Sequence, residues 1–189
     1  MEHDDLPEDP LVAQIPVSVR TDEQAGTYGN RIMLMSAPLF TNEPDAVRRL
    51  EKTHDALAAM KEHHRALPAE LLQDTNHFIP PAVFARAARA TFAISTGAGR
   101  PTWNLVVSNV PGPQFPLYCA GARLVANYPV SVITDGMGLN ITVMSYCGSM
   151  DFGIVADRDQ MPDLDTFMPR LKASLKELRK AAKKGASDL

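Results

Sequence analysis

Cysteine, tryptophan, surplus positive charge and uninterrupted apolar runs are all scarce in this sequence. Its two cysteines, Cys119 and Cys147, lie far apart without metal-ligand spacing, which argues against a disulfide framework or a zinc site and favours a reduced pair. The net charge of −3 leaves no excess of Lys and Arg for a phosphate backbone, so we expect no nucleic acid partner. The longest uncharged stretch, residues 101–122, is broken by prolines and cannot be a lipid-exposed helix.

Length and composition predict one ordinary globular domain. The 189 residues are 45% hydrophobic and 22% charged, close to the usual globular mixture. We expect a flexible N-terminal segment over residues 1–10, a domain over residues 11–184 and a tail over residues 185–189. The first residues are acidic where a signal peptide would be basic, which favours a cytoplasmic location.

Apolar residues repeat with the period of strands in some segments and of helices in others. Strands are predicted over 11–19, with Pro16 at an edge or a bulge, and over 30–39, whose apolar residues on both faces indicate burial between layers. Thr41 or Asn42 should cap the amphipathic helix that follows, and His54 falls on its apolar stripe. Further helices are predicted over 82–93 and 164–184, and further strands over 103–110, 123–127, 129–134, 139–146 and 150–156.

Short turns between the later strands favour antiparallel neighbours. The fold class predicted is therefore α/β (α+β), with a mixed, largely antiparallel sheet and flanking helices. The last helix ends in a basic segment, Arg179–Lys184, beside an apolar stripe. Contact with an anionic surface is one interpretation, and favourable charges at the negative end of the helix dipole are a simpler one.

The most specific string in the sequence is SNVPGP at residues 108–113, directly after a predicted strand. Both X-Pro bonds favour extended geometry and Gly112 permits a tight turn, so Ser108 and Asn109 should be held in a defined pose at the strand end. Asn109 could orient a substrate carbonyl there. Its alternative role is to satisfy backbone groups of the turn, as asparagine often does.

A second string, residues 128–146, predicts a hairpin with one polar face. Asn140, Thr142 and Tyr146 alternate with apolar residues, so their side chains should lie on one side and line a cleft. Asp135 lies in the connecting turn. The alternative is a sheet with one face in solvent.

Taken together and in order, seven strings make the sequence resemble the C-terminal domain of the bacterial wax ester synthase/diacylglycerol acyltransferase family. The resemblance covers about residues 11–178. It implies one half of a fold similar to chloramphenicol acetyltransferase, in which two similar halves enclose a substrate tunnel. The strings are 16–20 (PVSVR), 29–31 (GNR), 108–113 (SNVPGP), 120–123 (AGAR), 128–131 (YPVS), 138–142 (GLNIT) and 151–153 (DFG).

The resemblance also implies a reaction. Enzymes of this family esterify diacylglycerol or a long-chain alcohol with acyl-CoA, which is a substrate, so no cofactor and no metal are expected. Ser108, Asn109, Asn140 and Asp135 are the substrate-binding candidates. The partner is an N-terminal acyltransferase half, in the same chain or a separate one, and contact with a membrane or a lipid inclusion at its periphery follows from the substrates.

The general base of the family is the second histidine of a His-His-x-x-x-Asp-Gly motif in that N-terminal half. His63-His64 does not reproduce the motif, because Pro68 and Ala69 occupy the places of its Asp and Gly. We therefore expect no catalytic residue in this chain and activity only together with an N-terminal half, which leaves open whether the chain alone is an enzyme.

A second hypothesis assigns the chain to a different functional class. The chain could be a non-catalytic lipid-binding or protein-interaction module with the acyltransferase fold. Such a module should expose a sizeable apolar patch and form homo-oligomers.

Overall fold

The computed structural model describes residues 8–20, 32–65, 86, 90, 103–133 and 137–187. Two long helices are α1, Ala46–Arg65, and α2, Phe167–Ser187, which follows a short 3-10 helix at Leu164–Thr166. Of the predicted helix 82–93 only residues 86 and 90 are described, and both are helical. The strands are β1 Val12–Ser18, β2 Ile32–Pro38, β3 Leu105–Val110, β4 Tyr118–Cys119, β5 Ala122–Arg123, β6 Leu139–Tyr146 and β7 Ser149–Ala156.

Five of these strands form one mixed sheet in the order β2-β1-β3-β6-β7. The outer pairs, β1 with β2 and β6 with β7, are antiparallel, whereas β3 pairs in parallel with both β1 and β6. The small pair β4–β5 is also antiparallel. Helix α1 contacts β2 and α2 contacts α1. This arrangement confirms the predicted mixed α/β fold with helices beside the sheet.

The two faces of the sheet differ in chemistry. One face carries the buried apolar side chains Ala13, Met35, Ala37, Leu105 and Val143, and we call it the apolar face. Since the buried side chains of β2 lie on this face, α1 covers it. The opposite face, which we call the polar face, carries Gln14, Ser108, Asn140 and Thr142. Gln14, Asn140 and Thr142 are the buried polar residues of the described part of the chain.

Helix α1 begins later than predicted, and its cap is Asp45. The Arg48 backbone N–H donates to Asp45 Oδ1 at 2.8 Å, which is the N-cap geometry and lowers the pKa of Asp45. A hydrogen bond from Lys52 likewise lowers the pKa of Glu43. Thr41 Oγ1 instead accepts a hydrogen bond from the Leu11 N–H. The prediction that Thr41 or Asn42 caps the helix is wrong because both side chains bond to the N-terminal segment: Asn42 Nδ2 donates to the Glu8 carbonyl.

Two further predictions about packing are wrong. Ile32 and Leu34 are 53% and 52% exposed, so β2 is covered on one face only. The His54 side chain is 77% exposed and contacts Asp55, because α1 turns Thr53 and Leu57 toward the sheet rather than His54. Pro16 does lie where β1 has a single neighbour, since the pairing with β3 includes only residues 13 and 14.

The later strands are fewer than predicted. The hairpin β6–β7 forms, but residues 124–133 are paired with no strand in the described part of the chain. No helix among the described residues is long and apolar enough to span a bilayer.

Candidate functional site

Residues 124–133 run across the polar face of the sheet, and we call them the covering segment. The backbones of Pro129 and Gly153 approach each other closely: a Cβ added at Gly153 would overlap the Pro129 carbonyl oxygen. Gly153 lies beside Thr142 in the β6–β7 register, so the covering segment passes directly over the polar residues of β6. Because glycine has no Cβ, the backbones of the covering segment and β7 can approach each other at this position.

Four hydrogen-bonding groups close a ring between the covering segment and β6. Thr142 Oγ1 donates to Asn140 Oδ1 at 2.9 Å, and Asn140 Nδ2 donates to the Val132 carbonyl at 3.0 Å. Ser131 Oγ lies 2.8 Å from Thr142 Oγ1. Because the single Thr142 hydroxyl proton is given to Asn140, Ser131 is the donor in that contact. The ring satisfies the buried polar groups of β6 and fixes the segment to the sheet.

Two more side chains form hydrogen bonds with the backbone of the covering segment and of the residues before it. The Tyr146 hydroxyl donates to the Leu124 carbonyl at 3.1 Å and accepts a hydrogen bond from the Leu117 N–H at 2.8 Å. Asp151 Oδ2 accepts a hydrogen bond from the Asn127 N–H at 2.7 Å. Tyr146 is 3% exposed, so its bonds are shielded from water. The segment is thus held by side chains in place of a strand ladder.

The outward side of the covering segment is apolar and uncovered. From Tyr128 to Val132 alternate residues point away from the sheet, as in an isolated strand, and Val125 is exposed as well. We call these side chains the outer surface: Val125, Tyr128, Val130 and Val132, which are 88%, 69%, 87% and 76% exposed. Apolar residues gathered in this way on an ordered segment mark an interaction site more often than scattered ones do.

The predicted site residues are not all brought together. Ser108 and Asn109 are consecutive in β3, so their side chains lie on opposite faces, and Ser108 alone shares the face of Asn140. Asn109 is exposed, and within the described residues its side chain makes no hydrogen bond to the turn. Asn140 is 6% exposed with both amide groups engaged. Asp135 lies outside the described residues.

The predicted alternation of β6 is confirmed, but its polar face is neither an open cleft nor in solvent. Asn140, Thr142 and Tyr146 do share one face, and the covering segment lies over it. Sequence reasoning missed Ser131 and Asp151 as anchors. A signal was present, because both belong to strings that carry the family resemblance, YPVS and DFG.

Comparison with known proteins decides the family. Residues 28–179 match the family described as the WS/DGAT C-terminal domain. The chain belongs to the WS/DGAT C-terminal domain family. A putative diacylglycerol O-acyltransferase from Mycobacterium tuberculosis is 39% identical over 181 residues, which are 95% of this chain and 39% of that protein. The O-acyltransferase WSD from Acinetobacter baylyi is 33% identical over 175 residues, 93% of this chain and 37% of that protein.

A solved structure agrees with this assignment. The wax ester synthase/diacylglycerol acyltransferase from Marinobacter aquaeolei VT8 is similar with a TM-score of 0.67 and 33% identity, over 94% of this chain and 38% of that chain. The similarity confirms both the predicted resemblance and the fold. This WS/DGAT domain thus spans about two fifths of the length of the relatives it matches.

Proposed function

We propose that this WS/DGAT domain supplies the C-terminal half of an acyltransferase that esterifies diacylglycerol or a long-chain alcohol with acyl-CoA. The observation that carries the proposal is the match of nearly the whole chain to about two fifths of wax ester and diacylglycerol acyltransferases. In these relatives the matching domain is part of a longer chain, and we infer that it contributes one side of a site between two halves. A cytoplasmic location at the periphery of lipid would bring such a site to its substrates.

The chemistry requires a base, and the described residues place no histidine side chain beside the covering segment. In acyl transfer the alcohol oxygen attacks the thioester carbonyl, a base takes the alcohol proton, and CoA leaves as the thiol once it regains a proton. His54 is the histidine whose side chain the described residues include, and it is exposed on α1. Helix α1 packs on the other side of the sheet from the covering segment. The base is therefore assigned to an N-terminal half, and the domain alone is expected to be inactive.

The outer surface is the proposed contact with that N-terminal half. A segment held by the hydrogen-bond ring presents its apolar side chains in a fixed order, which lowers the entropic cost of binding. Apolar and aromatic side chains also dominate the centres of protein interfaces, where Tyr128 would be the aromatic anchor. Burial of the four side chains would remove a patch that is costly to leave in water.

The predicted substrate-binding residues take different parts in this proposal. Asn140 supports the tunnel wall indirectly, through the Val132 carbonyl. Ser108 lies two residues along from Val106, which pairs with Asn140, and belongs to the same wall. Asn109, exposed on the opposite face, and Asp135 remain candidates for direct substrate contact.

Reconstitution tests the function. The purified domain is mixed with acyl-CoA and either diacylglycerol or hexadecanol, with and without an N-terminal acyltransferase half that carries the histidine motif. We expect ester formation only when both halves are present. Ester formation by the domain alone contradicts the assignment of the base, and a stable complex without any ester supports a non-catalytic module instead.

Charge placed on the outer surface tests the contact. Val130→Asp and Val132→Asp should each weaken association with the N-terminal half by at least about tenfold, because a carboxylate would be buried without a partner. Leu50→Asp is the matched control: Leu50 is 55% exposed on α1, on the other side of the sheet. Equal effects of all three variants would refute the assignment. A homodimer broken by Val130→Asp would show instead that a second copy covers this surface.

A further inference from the structure

Helix α2 concentrates positive charge in an otherwise acidic protein. Its sequence contains seven Lys and Arg residues and one Glu, a net charge of +6, whereas the whole chain carries −3. The remainder of the chain therefore carries −9. Because the positive charge is concentrated on one helix of an acidic protein, it attracts an anionic partner to that side of the molecule.

The basic side chains form a stripe along α2. Lys172, Lys176, Arg179 and Lys183 follow one another at intervals of four, three and four residues, so they share one side of the helix. All four are exposed. Within the part of the chain that the structure describes, none of them makes an ion pair. We call these four residues the basic stripe.

An uncovered apolar edge runs beside the basic stripe. Phe167, Leu171 and Leu178 are half-buried and form the packing side of α2. Leu175 and Met168, seven residues apart, are 58% and 37% exposed and lie at the border of that side. Leu175 is three residues after Lys172 and four before Arg179, so the apolar edge and the basic stripe are neighbours on the helix surface.

The helix dipole does not account for this pattern. Favourable charge–dipole interactions are confined to the last turn of a helix. Lys176 lies 11 residues before the end of α2 at Ser187, about 16 Å along the axis, and Lys172 lies farther still. Neither Lys172 nor Lys176 gains from the dipole, and no carboxylate of the described residues pairs with them.

We propose that the basic stripe and the apolar edge of α2 form a docking surface for an anionic lipid bilayer. A helix lying in the plane of a bilayer surface places apolar side chains among the acyl chains, while flanking Lys and Arg reach the phosphate groups. Leu175 and Met168 occupy the first position and the basic stripe the second. A nucleic acid would pair with the basic stripe but would leave the apolar edge in water, so the combination favours lipid.

Vesicle sedimentation with the 189-residue protein tests the proposal without any acyltransferase assay. The vesicles are phosphatidylcholine, either alone or with phosphatidylglycerol as about a third of the lipid. We expect binding to the mixed vesicles, at least about tenfold weaker binding to phosphatidylcholine alone, and a further loss as salt is raised toward about 0.5 M. Equal binding to both vesicle types, or binding to neither, overturns the proposal.

Charge reversal locates the surface. The triple variant K172E/K176E/R179E should bind the mixed vesicles about a hundredfold more weakly or worse. The control K61E/R123E/R158E makes the same change in net charge at exposed residues outside α2 and should lose much less. Equal losses in the two triple variants would show attraction by net charge alone and would overturn the assignment to α2.

The apolar edge has its own test. Leu175→Ser should weaken binding to mixed vesicles by about five- to tenfold, since more than half of the side chain is free to enter the lipid. Leu34→Ser removes a side chain of similar exposure from the sheet face opposite α1 and should leave vesicle binding unchanged. If Leu175→Ser is also without effect while the charge reversal is not, the surface binds anions without entering a bilayer, and the lipid assignment fails. Failure of acyl transfer in the reconstitution would leave these vesicle results unaffected.

Discussion

Removing one hydroxyl group from the ring beneath the covering segment should destabilise the whole domain. Thr142→Val keeps the shape of the side chain but deletes both of its hydrogen bonds, to Ser131 and to Asn140. Thr142 is 3% exposed and Asn140 is 6% exposed, so water cannot replace the lost partner of Asn140 Oδ1. An unpaired buried acceptor costs about 1–3 kcal/mol, and a lost hydrogen bond costs about 1 kcal/mol more. We expect the free energy of unfolding to fall by about 2–3 kcal/mol.

The ring also predicts non-additivity. Ser131→Ala removes only the outer bond and should cost about 1 kcal/mol, because the Thr142 hydroxyl still donates to Asn140. Once Thr142 is valine, the Ser131 hydroxyl has no partner in the ring to lose. The double variant should therefore be no less stable than Thr142→Val alone, which corresponds to a coupling energy of about 1 kcal/mol.

Urea unfolding of the four proteins measures these quantities, provided that the slope of the transition stays the same. Thr166→Val is the matched control: its hydroxyl donates to the Asp163 carbonyl at an exposed position, and its loss should cost no more than about 0.5 kcal/mol. Hydrogen exchange at the Asn127 N–H, which donates to Asp151 Oδ2, should accelerate in Thr142→Val, since the covering segment opens first. Additive effects, or a neutral Thr142→Val, would refute the ring as the anchor of the segment.

Three further changes probe other anchors. Gly153→Ala should push the Pro129 backbone away from the sheet, lower the free energy of unfolding by about 2 kcal/mol or more and weaken association with the N-terminal half, measured by urea unfolding and binding titration. Tyr146→Phe should cost about 1–3 kcal/mol in the same unfolding assay, because two backbone groups lose their shared partner. The hydrogen bond from the Arg48 N–H holds the pKa of Asp45 below its ordinary value, so its contribution to stability is complete above that ordinary pKa and is lost as pH falls through the lowered one. Asp45→Asn should keep the cap and remove that part of the acid dependence, which melting curves between about pH 2 and pH 6 would detect.

The controls for these variants come from the chain itself. Gly148 has a φ of +80°, and a Cβ there would meet no atom within 4 Å, so Gly148→Ala adds the same methyl group with backbone strain alone. A loss as large as that of Gly153→Ala would contradict the steric argument. Asp45→Ala should destabilise at every pH, and an Asn variant that still melts with the acid dependence of the native protein would show that other carboxylates control it.

Sequence patterns predict the helices and strands of this domain better than they predict which segments pack against them. The alternation of Asn140, Thr142 and Tyr146 correctly predicts a strand with one polar face, because periodicity reports which side chains point together. It does not reveal what lies over them. The residues 129–133 have the composition of a strand. The Val132 carbonyl, however, accepts a hydrogen bond from the Asn140 side chain instead of pairing with a neighbouring strand.

Long-range contacts also explain the misplaced cap of α1. Thr41 is a good cap by local chemistry, but its hydroxyl accepts a hydrogen bond from the Leu11 N–H, 30 residues earlier, and Asp45, four residues later, caps the helix instead. Ser108 and Asn109 are neighbours in the sequence, but their side chains lie on opposite faces of the sheet because they are consecutive residues of a strand. Family resemblance identifies the chain correctly, since several ordered strings are more specific than any local pattern.

The position of β3 in the middle of the sheet has a consequence for biosynthesis. Asn104 and Val12, 92 residues apart, exchange two hydrogen bonds of 2.8 Å at the start of β3, and β3 then pairs with β6 as well. Strands β1 and β2 leave the ribosome before β3, and among the described strands the free edge of β1 has no partner until residues 104–110 have emerged. Nascent chains stalled before that point should therefore be the species that chaperones bind and that aggregate.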